Sequence, residues 1–227
     1  MSNKERSQSD RFTVPDWLFE FHGHKCPYSV MGYRMGVVAL RELGRDKCYD
    51  HDMFVFSEMG VGHPQGCMQD GIQASTSATF GKGQMHKLFY GKVGATFFDP
   101  SKGAVRILFK NESMDKLSTH EFFKFRKQGI EPSQVPAEVA QGVIDMVLNA
   151  TDEELFKVER VPDFKFKTVA SSFNKAKCDL CGEYVFERYL RLKDGKKVCI
   201  ACSEREAEES TIHLPDLQMR RGSSREN

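Results

Sequence analysis

The sequence predicts an α+β protein with a small mixed β-sheet packed with helices, followed by a smaller domain of short strands. Three observations predict this class. First, the element patterns run in the order helix, strand, helix, two strands and then helices, which favours an α+β domain. Second, two Cys-x-x-Cys pairs occur only after residue 177, where the composition changes. Third, a chain of 227 residues suits one main domain plus a smaller one.

The first half of the chain predicts two helices and one strand. A helix is predicted over 27–43, because apolar residues recur there at helical spacing and Gly44 follows. The apolar run 53–58 predicts a buried strand. A second helix is predicted from about Cys67 to Phe80; it is rich in Ser and Thr, which are weak helix formers, so tight packing must hold it.

The middle of the chain predicts a hairpin and one further helix. The apolar runs 93–98 and 104–109 are joined by Asp99-Pro-Ser-Lys-Gly103, a plausible turn. Ser118 with Glu121 three residues later is a capping-box signal for a helix that ends at Gly129. Two more helices follow this one. One is predicted over 136–149, and a short one is capped by Thr151 with Glu154.

The composition divides the chain into four parts. Residues 1–13 are polar and are predicted to be a disordered N-terminus, and 14–170 form the α+β core domain. Residues 171–205 form the cysteine-rich domain, and 206–227 form a charged C-terminal tail. The stretch 158–177 is interpreted as a connector rich in Phe and Lys.

Charge and hydropathy exclude several classes of function. The chain has 33 basic and 32 acidic residues, so no global field attracts it to DNA or to an anionic membrane. No apolar run is long enough to span a bilayer, and the polar start lacks the apolar core of a secretory signal, so we expect a cytoplasmic protein without membrane contact. Seven cysteines in such a chain indicate metal or redox chemistry before disulfides.

The cysteine pairs near the C-terminus predict a zinc ribbon. Seventeen residues separate the pairs, a spacing typical of four-cysteine zinc sites: Cys178, Cys181, Cys199 and Cys202. A redox-active pair or four incidental thiols are the weaker alternatives, because so small a domain usually needs a bound metal or a cross-link to fold. Ribbons bind nucleic acid, bind proteins or cap a dimer; the mixed charges near these cysteines give nucleic-acid binding only modest support.

A second candidate metal site lies near the start of the core domain. His22, His24 and Cys26 occupy alternate positions. In extended backbone such residues lie about 6.5–7 Å apart at each step, so an ion would use two of them plus a ligand from elsewhere. Cys67 is the candidate for that ligand, because a helix start favours the thiolate. Asp70, three residues later, shares its helix face and could orient a ligand or accept a proton.

A structural interpretation of the same residues stays open at this stage. Histidines often satisfy backbone groups, and buried cysteines often act as small apolar side chains. We interpret His51, His63, His86 and Cys48 as structural or solvated, and the Phe-rich stretches 97–98 and 122–125 as core.

Several blocks of the chain resemble the formylmethanofuran dehydrogenase E-subunit family. They span residues 17–202 in order and end with a terminal ribbon like the one that many members append; the blocks are Phe21–Pro27, Gly32–Gly36, Gly66–Gln73, Thr79–Gly83 and Gly91–Phe97. Two positions depart from the family pattern. Tyr28 stands where the family usually has Gly, which narrows the room beside Cys26, and Ala78 stands where many members carry another cysteine.

The resemblance implies a core like the catalytic-domain fold of glyceraldehyde-phosphate dehydrogenase, a homodimer and a metal pocket. The family's pocket residues map onto His22, His24, Cys26, Cys67 and Asp70. The family is linked to a molybdenum or tungsten enzyme that reduces carbon dioxide on a methanofuran carrier. This chain has no pterin or iron–sulfur signature, so that dehydrogenase activity is not carried over.

Three hypotheses of function result. The first is a metal-dependent enzyme-like protein or an accessory factor for molybdenum or tungsten enzymes, with zinc or another thiophilic ion in the core. In it, His24 and Cys26 are ligands, Cys67 is a ligand or nucleophile, and Asp70 handles a proton. The second is a ribbon that binds nucleic acid or a protein partner, with a core that only dimerises. The third is a purely structural role for both cysteine sets.

Overall fold

A computed structural model describes residues 12–60, 66–167 and 172–204 of the chain. The chain divides into two compact units, Met1–Phe164 and Lys165–Asn227. The segments predicted as disordered terminus and charged tail fall almost entirely outside the described residues, and the four domain limits given above stay predictions. No helix in the described ranges is long and apolar enough to cross a membrane.

The first unit contains helices and strands in mixed order. Its helices are α1 Trp17–His22, α2 Pro27–Leu43, α3 Gly66–Thr76, α4 Asn111–Ser118, α5 Glu121–Lys127, α6 Ala137–Asn149 and α7 Asp152–Leu155. Its strands are β1 Phe54–Ser57, β2 Met85–Lys87, β3 Gly94–Asp99, β4 Gly103–Phe109 and β5 Phe156–Arg160.

These strands form one sheet in the order β2-β1-β3-β4-β5. The β1–β2 pair is parallel, and the other three pairs are antiparallel. Strands β1 and β3 are buried along their whole length, and the apolar core is continuous from the sheet to α2, α3 and α6. The mixed sheet packed with helices confirms the predicted α+β class.

The packing of α2 against α3 depends on glycines. A Cβ added at Gly32 would lie 1.9 Å from the carbonyl oxygen of Met68, and one added at Gly71 would lie 2.0 Å from that of Ser29. The two backbones therefore touch directly, which only glycine permits. This contact brings the N-terminal parts of α2 and α3 together.

A largely buried ion pair joins α2 to the short helix α7. Asp152 accepts hydrogen bonds from Arg34 at 2.8 Å and from Arg41 at 2.6 Å. Burial alone would raise the pKa of Asp152, but the bonds from Arg41 and Arg34 outweigh it and lower the pKa.

Several predicted elements are confirmed. Helix α2 begins at Pro27 and ends at Leu43, with Gly44 in the left-handed region at φ 59°. The hairpin of β3 and β4 turns between Asp99 and Gly103. Thr151 and Glu154 form the predicted capping box.

Other local predictions are wrong. Ser118 does not cap a helix, because it ends α4; α5 is capped instead by the His120 ring, which accepts a hydrogen bond from the Phe122 amide. Helix α3 ends at Thr76 rather than Phe80, because Ser77 adopts φ 61°. The predicted connector begins as a strand, since β5 pairs with β4. Helices α1 and α4 and strand β2 were not predicted.

In its described residues, the second unit contains two hairpins and a short helix. The strands are β6 Lys175–Lys177, β7 Tyr184–Phe186, β8 Leu190–Lys193 and β9 Lys196–Cys199, followed by α8 Ile200–Glu204. Strand β6 pairs with β7, and β8 pairs with β9. The turn between β8 and β9 has positive φ at both of its residues, Asp194 and Gly195, as a tight two-residue hairpin turn requires.

Candidate metal centres

The loop between α1 and α2 gathers the three alternating ligands of the core domain. His22 is the last residue of α1, Gly23 adopts φ 91°, and Cys26 immediately precedes α2. One ligand atom from each of His22, His24 and Cys26 lies within 4.8 Å of the others. The extended spacing assumed from the sequence is therefore wrong, because the helix end and the left-handed glycine curve the backbone.

The His22 ring is held by a carboxylate from α3. Its Nδ1 lies 2.8 Å from Oδ2 of Asp70. Its Nε2 is also buried. The rings of His22 and His24 lie 4.6 Å apart. If Nδ1 carries the proton, this carboxylate–histidine pair leaves the Nε2 lone pair for a metal, the usual arrangement of a histidine ligand.

The thiol of Cys67, in the first turn of α3 as predicted, lies beside two members of this group, His22 and Cys26. Hydrogen bonding to Asp70 and then to Cys67 raises the pKa of His22 to about 9, so without a metal this ring is charged at neutral pH. Hydrogen bonding to Cys67, followed by burial, raises the pKa of Cys26 well above its usual range. A metal here would have to displace both protons.

A cavity of about 280 Å³ opens beside these two thiols. Helix α5 supplies much of its wall through Phe122, Phe123 and Arg126, and Tyr28 of α2 also lines it. The Tyr28 ring meets Phe123 edge-on at 6.1 Å. Burial and then the charges of Cys26 and Cys67 raise the pKa of Tyr28 to about 12, so its hydroxyl stays protonated at neutral pH.

Sequence patterns place Phe122 and Phe123 in the core and assign no role to Arg126. Phe122 is indeed buried, but both phenylalanines also line the cavity. Arg126 lies four residues after Phe122 and hence on the same helix face, a spacing that could have indicated it. A larger cavity of about 790 Å³ lies beside α4 and α6, and none of the cluster residues lines it.

The four cysteines of the second unit form a separate cluster. Their sulfur atoms lie within 4.8 Å of one another: Cys178, Cys181, Cys199 and Cys202. The Cys178 sulfur accepts a hydrogen bond from the Cys199 amide at 3.4 Å, and the Cys199 sulfur accepts one from the Cys202 amide at 3.3 Å. Burial would raise the pKa of Cys178, but backbone hydrogen bonds outweigh it and lower the pKa to about 6.

Other histidines and cysteines lie elsewhere. Cys48 is buried 2.8 Å from the Gln84 amide nitrogen, and His86 stacks on Phe56 at 5.0 Å, so both have structural contacts. His51 is exposed, and His63 lies outside the described residues.

Comparison with protein families finds two matches in the chain. The family described as "FmdE, Molybdenum formylmethanofuran dehydrogenase operon" matches residues 21–157. The family described as "Prokaryotic dksA/traR C4-type zinc finger" matches residues 171–206, in agreement with the four-cysteine cluster.

Two individual proteins are also similar to the chain. A curated protein of Archaeoglobus fulgidus, described as a probable S-adenosyl-L-methionine-binding protein, is 27% identical over 199 residues, which is 81% of this chain and 50% of that protein. The chain therefore spans about half the length of this relative. A tungsten formylmethanofuran dehydrogenase FmdE-like protein from Syntrophus aciditrophicus shares the fold, with 17% identity, a TM-score of 0.52, and 82% and 88% of the two chains covered.

Proposed function

The chain belongs to the FmdE family, and from this premise we propose that it is a two-metal protein whose core site is functional and whose ribbon zinc is structural. The core site would use His22, His24, Cys26 and Cys67. It would serve a metal-dependent enzyme-like or accessory role in molybdenum or tungsten metabolism of the formylmethanofuran dehydrogenase type.

One observation carries this proposal above the others. One ligand atom from each of His22, His24 and Cys26 lies within 4.8 Å of the others, and Asp70 fixes Nδ1 of the His22 ring, which leaves Nε2 as its ligand atom. The thiol of Cys67 interacts with both His22 and Cys26, so a fourth donor lies beside the other three. Convergent imidazole and thiol groups of this kind are typical of a zinc site.

The donor set fits zinc or another thiophilic ion. Thiolates and imidazoles are the ligands that zinc prefers, and an ion here supplies Lewis acidity if one coordination position stays open. In the proposal, His24 and Cys26 are ligands, and Cys67 is a ligand or a nucleophile. Asp70 holds the His22 ring in a fixed orientation and can accept its proton.

The family premise supports the wider setting of the protein. We propose a cytoplasmic homodimer that works with a molybdenum or tungsten enzyme, as the family resemblance implies. The proposal does not include S-adenosyl-L-methionine binding, which is described only for a relative of which this chain spans about half.

A cobalt titration tests the core site directly. Co²⁺ bound by thiolates absorbs strongly, so metal-free full-length protein is titrated and its absorption is read per chain. Cys67→Ala should remove part of the signal, whereas Cys48→Ala, at a buried thiol outside the cluster, should leave it unchanged. If Cys67→Ala binds as much cobalt with the same spectrum as the wild type, the core site as proposed is wrong.

One observation favours a second candidate, the ribbon as a binding module. Tyr184 is 64% exposed, and the ammonium groups of Lys175 and Lys177 lie 4.8 and 5.5 Å from its ring centre. An aromatic face flanked by cations is a platform on which nucleic-acid bases stack. Anisotropy of a labelled single-stranded oligonucleotide tests it; binding should weaken with salt and with Tyr184→Ala, and no binding at low salt contradicts it.

A further inference from the structure

The wall of the cavity beside Cys26 and Cys67 contains an unused hydrogen-bond donor. Tyr28 is only 5% exposed and lines this cavity. Its hydroxyl has no hydrogen-bond partner in the described part of the chain, although a buried tyrosine usually has one. A phenol donates readily to an oxygen anion, so this hydroxyl is suited to a ligand that brings an acceptor atom.

The charges around the cavity favour a negatively charged ligand. Arg126 and Lys127 line the cavity, and no described carboxylate does. Arg126 donates one N–H to the Ile130 carbonyl at the end of α5, which leaves other N–H groups of the guanidinium available. The carboxylate of Glu131 lies 3.7 Å from Arg126, but it is 64% exposed and so neutralises little of the charge.

The shape and polarity of the cavity limit the rest of the ligand. A volume of about 280 Å³ equals that of roughly nine liquid waters, which suits a single ring or a short chain. Phe122 and Phe123 offer apolar surface to the cavity. Cys26 and Cys67, beside which the proposed metal would be bound, also line it.

We propose that this cavity binds a small carboxylate with an apolar body. The Tyr28 hydroxyl and Arg126 receive the carboxylate, Phe122 and Phe123 contact the body, and the ligand lies beside the two thiols. Tyr28 thus acts as a specificity-determining residue. The proposal concerns the ligand of the site described under Proposed function and depends on that function only for the metal at the thiols.

Calorimetric titration of zinc-loaded full-length protein with benzoate tests this proposal. Benzoate combines one carboxylate with one ring, and benzamide is its uncharged counterpart. Benzoate should bind, and benzamide should bind more weakly. Tyr28→Phe and Arg126→Met should each weaken benzoate binding about 10-fold or more, because each removes a hydrogen bond to a charged group.

The control variant is Tyr33→Phe, which removes a hydroxyl from the same helix at a half-buried ring that packs near Phe12 instead. It should bind benzoate as the wild type does. The proposal is overturned if the wild type binds no benzoate at millimolar concentration or binds benzamide equally well. It is equally overturned if either Tyr28→Phe or Arg126→Met leaves benzoate affinity unchanged.

Metal analysis of the same samples separates the two ideas. Core metal without benzoate binding rejects the carboxylate ligand and keeps the metal site. Benzoate binding that depends on Tyr28 and Arg126, in protein that holds only the ribbon metal, supports the carboxylate ligand and rejects the core metal site.

Discussion

The two ligand clusters of this protein are built in opposite ways. The ribbon cluster draws all four thiols from one short segment, and its buried apolar group consists of Cys178, Val198 and Cys202. The core cluster draws its ligands from the α1–α2 loop and from α3, which a large apolar core holds in place. A cavity opens beside the core cluster, on its Cys26 and Cys67 side.

The contrast indicates what each metal would do. Where the scaffold cannot fold alone, the free energy of metal binding is also the free energy of folding. Where helices position the ligands beforehand, metal binding is available for chemistry, and an adjacent cavity can admit a ligand. The ribbon therefore fits a structural zinc and the core a functional one.

Unfolding of the ribbon without zinc should be the strongest effect. Structural zinc contributes about 10–16 kcal/mol to folding in comparable small domains, far more than the ribbon's few buried side chains. Cys178→Ser/Cys181→Ser should abolish amide-exchange protection in β6–β9 and leave it intact in β3 and β4. Retained protection in β8 and β9 would show that the ribbon folds without its metal and would contradict the contrast.

Next in size is the effect of crowding the contact between α2 and α3. Gly32→Ala would place a methyl group 1.9 Å from the Met68 carbonyl, so the core should lose about 3 kcal/mol or more. Gly66→Ala, in the same helix pair but with no atom within 4 Å of its added Cβ, is the control. Urea unfolding followed by Trp17 fluorescence reports the core unit alone, because the chain has one tryptophan. Equal midpoints for the two variants would refute the close contact.

A smaller effect is expected from removing the charge behind His22. Asp70→Asn should lower core metal affinity about 10–100-fold, because a carboxylate that bonds to the other nitrogen of a ligand ring orients that ring and raises its basicity. The ribbon metal should be unaffected, and Asp46→Asn, at an exposed carboxylate, is the control. Competition with a chromophoric chelator measures both affinities. If the weaker of the two metal affinities is the same in Asp70→Asn as in the wild type, Asp70 has no part in the core site.

The pH dependence of core stability should show the weakest effect. The pKa of Asp152 is lowered in the folded state, because hydrogen bonds from Arg41 and Arg34 outweigh burial. Its stabilisation is therefore present above the unfolded pKa of about 3.9 and is lost as pH falls through the lower folded pKa. Asp152→Asn should be less stable at neutral pH and should show a flatter loss below about pH 4. Parallel curves, measured by Trp17-monitored urea unfolding, would contradict this.

The sequence predicted those features that depend on local patterns. Apolar spacing followed by Gly44 located α2, and the spacing of the cysteine pairs located the ribbon cluster, since both signals lie within a short stretch. The family resemblance also placed the proposed core ligands in ordered blocks, and the structure brings His22, His24 and Cys26 together.

The features that sequence reasoning missed depend on tertiary contacts. The compactness of the His22–Cys26 loop follows from the left-handed Gly23 and the end of α1, and an alternating pattern cannot show either. Strand β2 has three residues and exists through its pairing with β1. Arg126 became a cavity residue because α5 packs beside the two thiols, a contact between segments far apart in the chain.

Metal content per chain is the decisive test of the contrast between the clusters. Elemental analysis would compare the wild type with Cys178→Ser/Cys181→Ser. We predict two equivalents of metal in the wild type and one in the variant, with the remaining equivalent lost when Cys67→Ala is added. One equivalent in the wild type and none in the variant would leave the ribbon as the sole site and contradict a metal in the core.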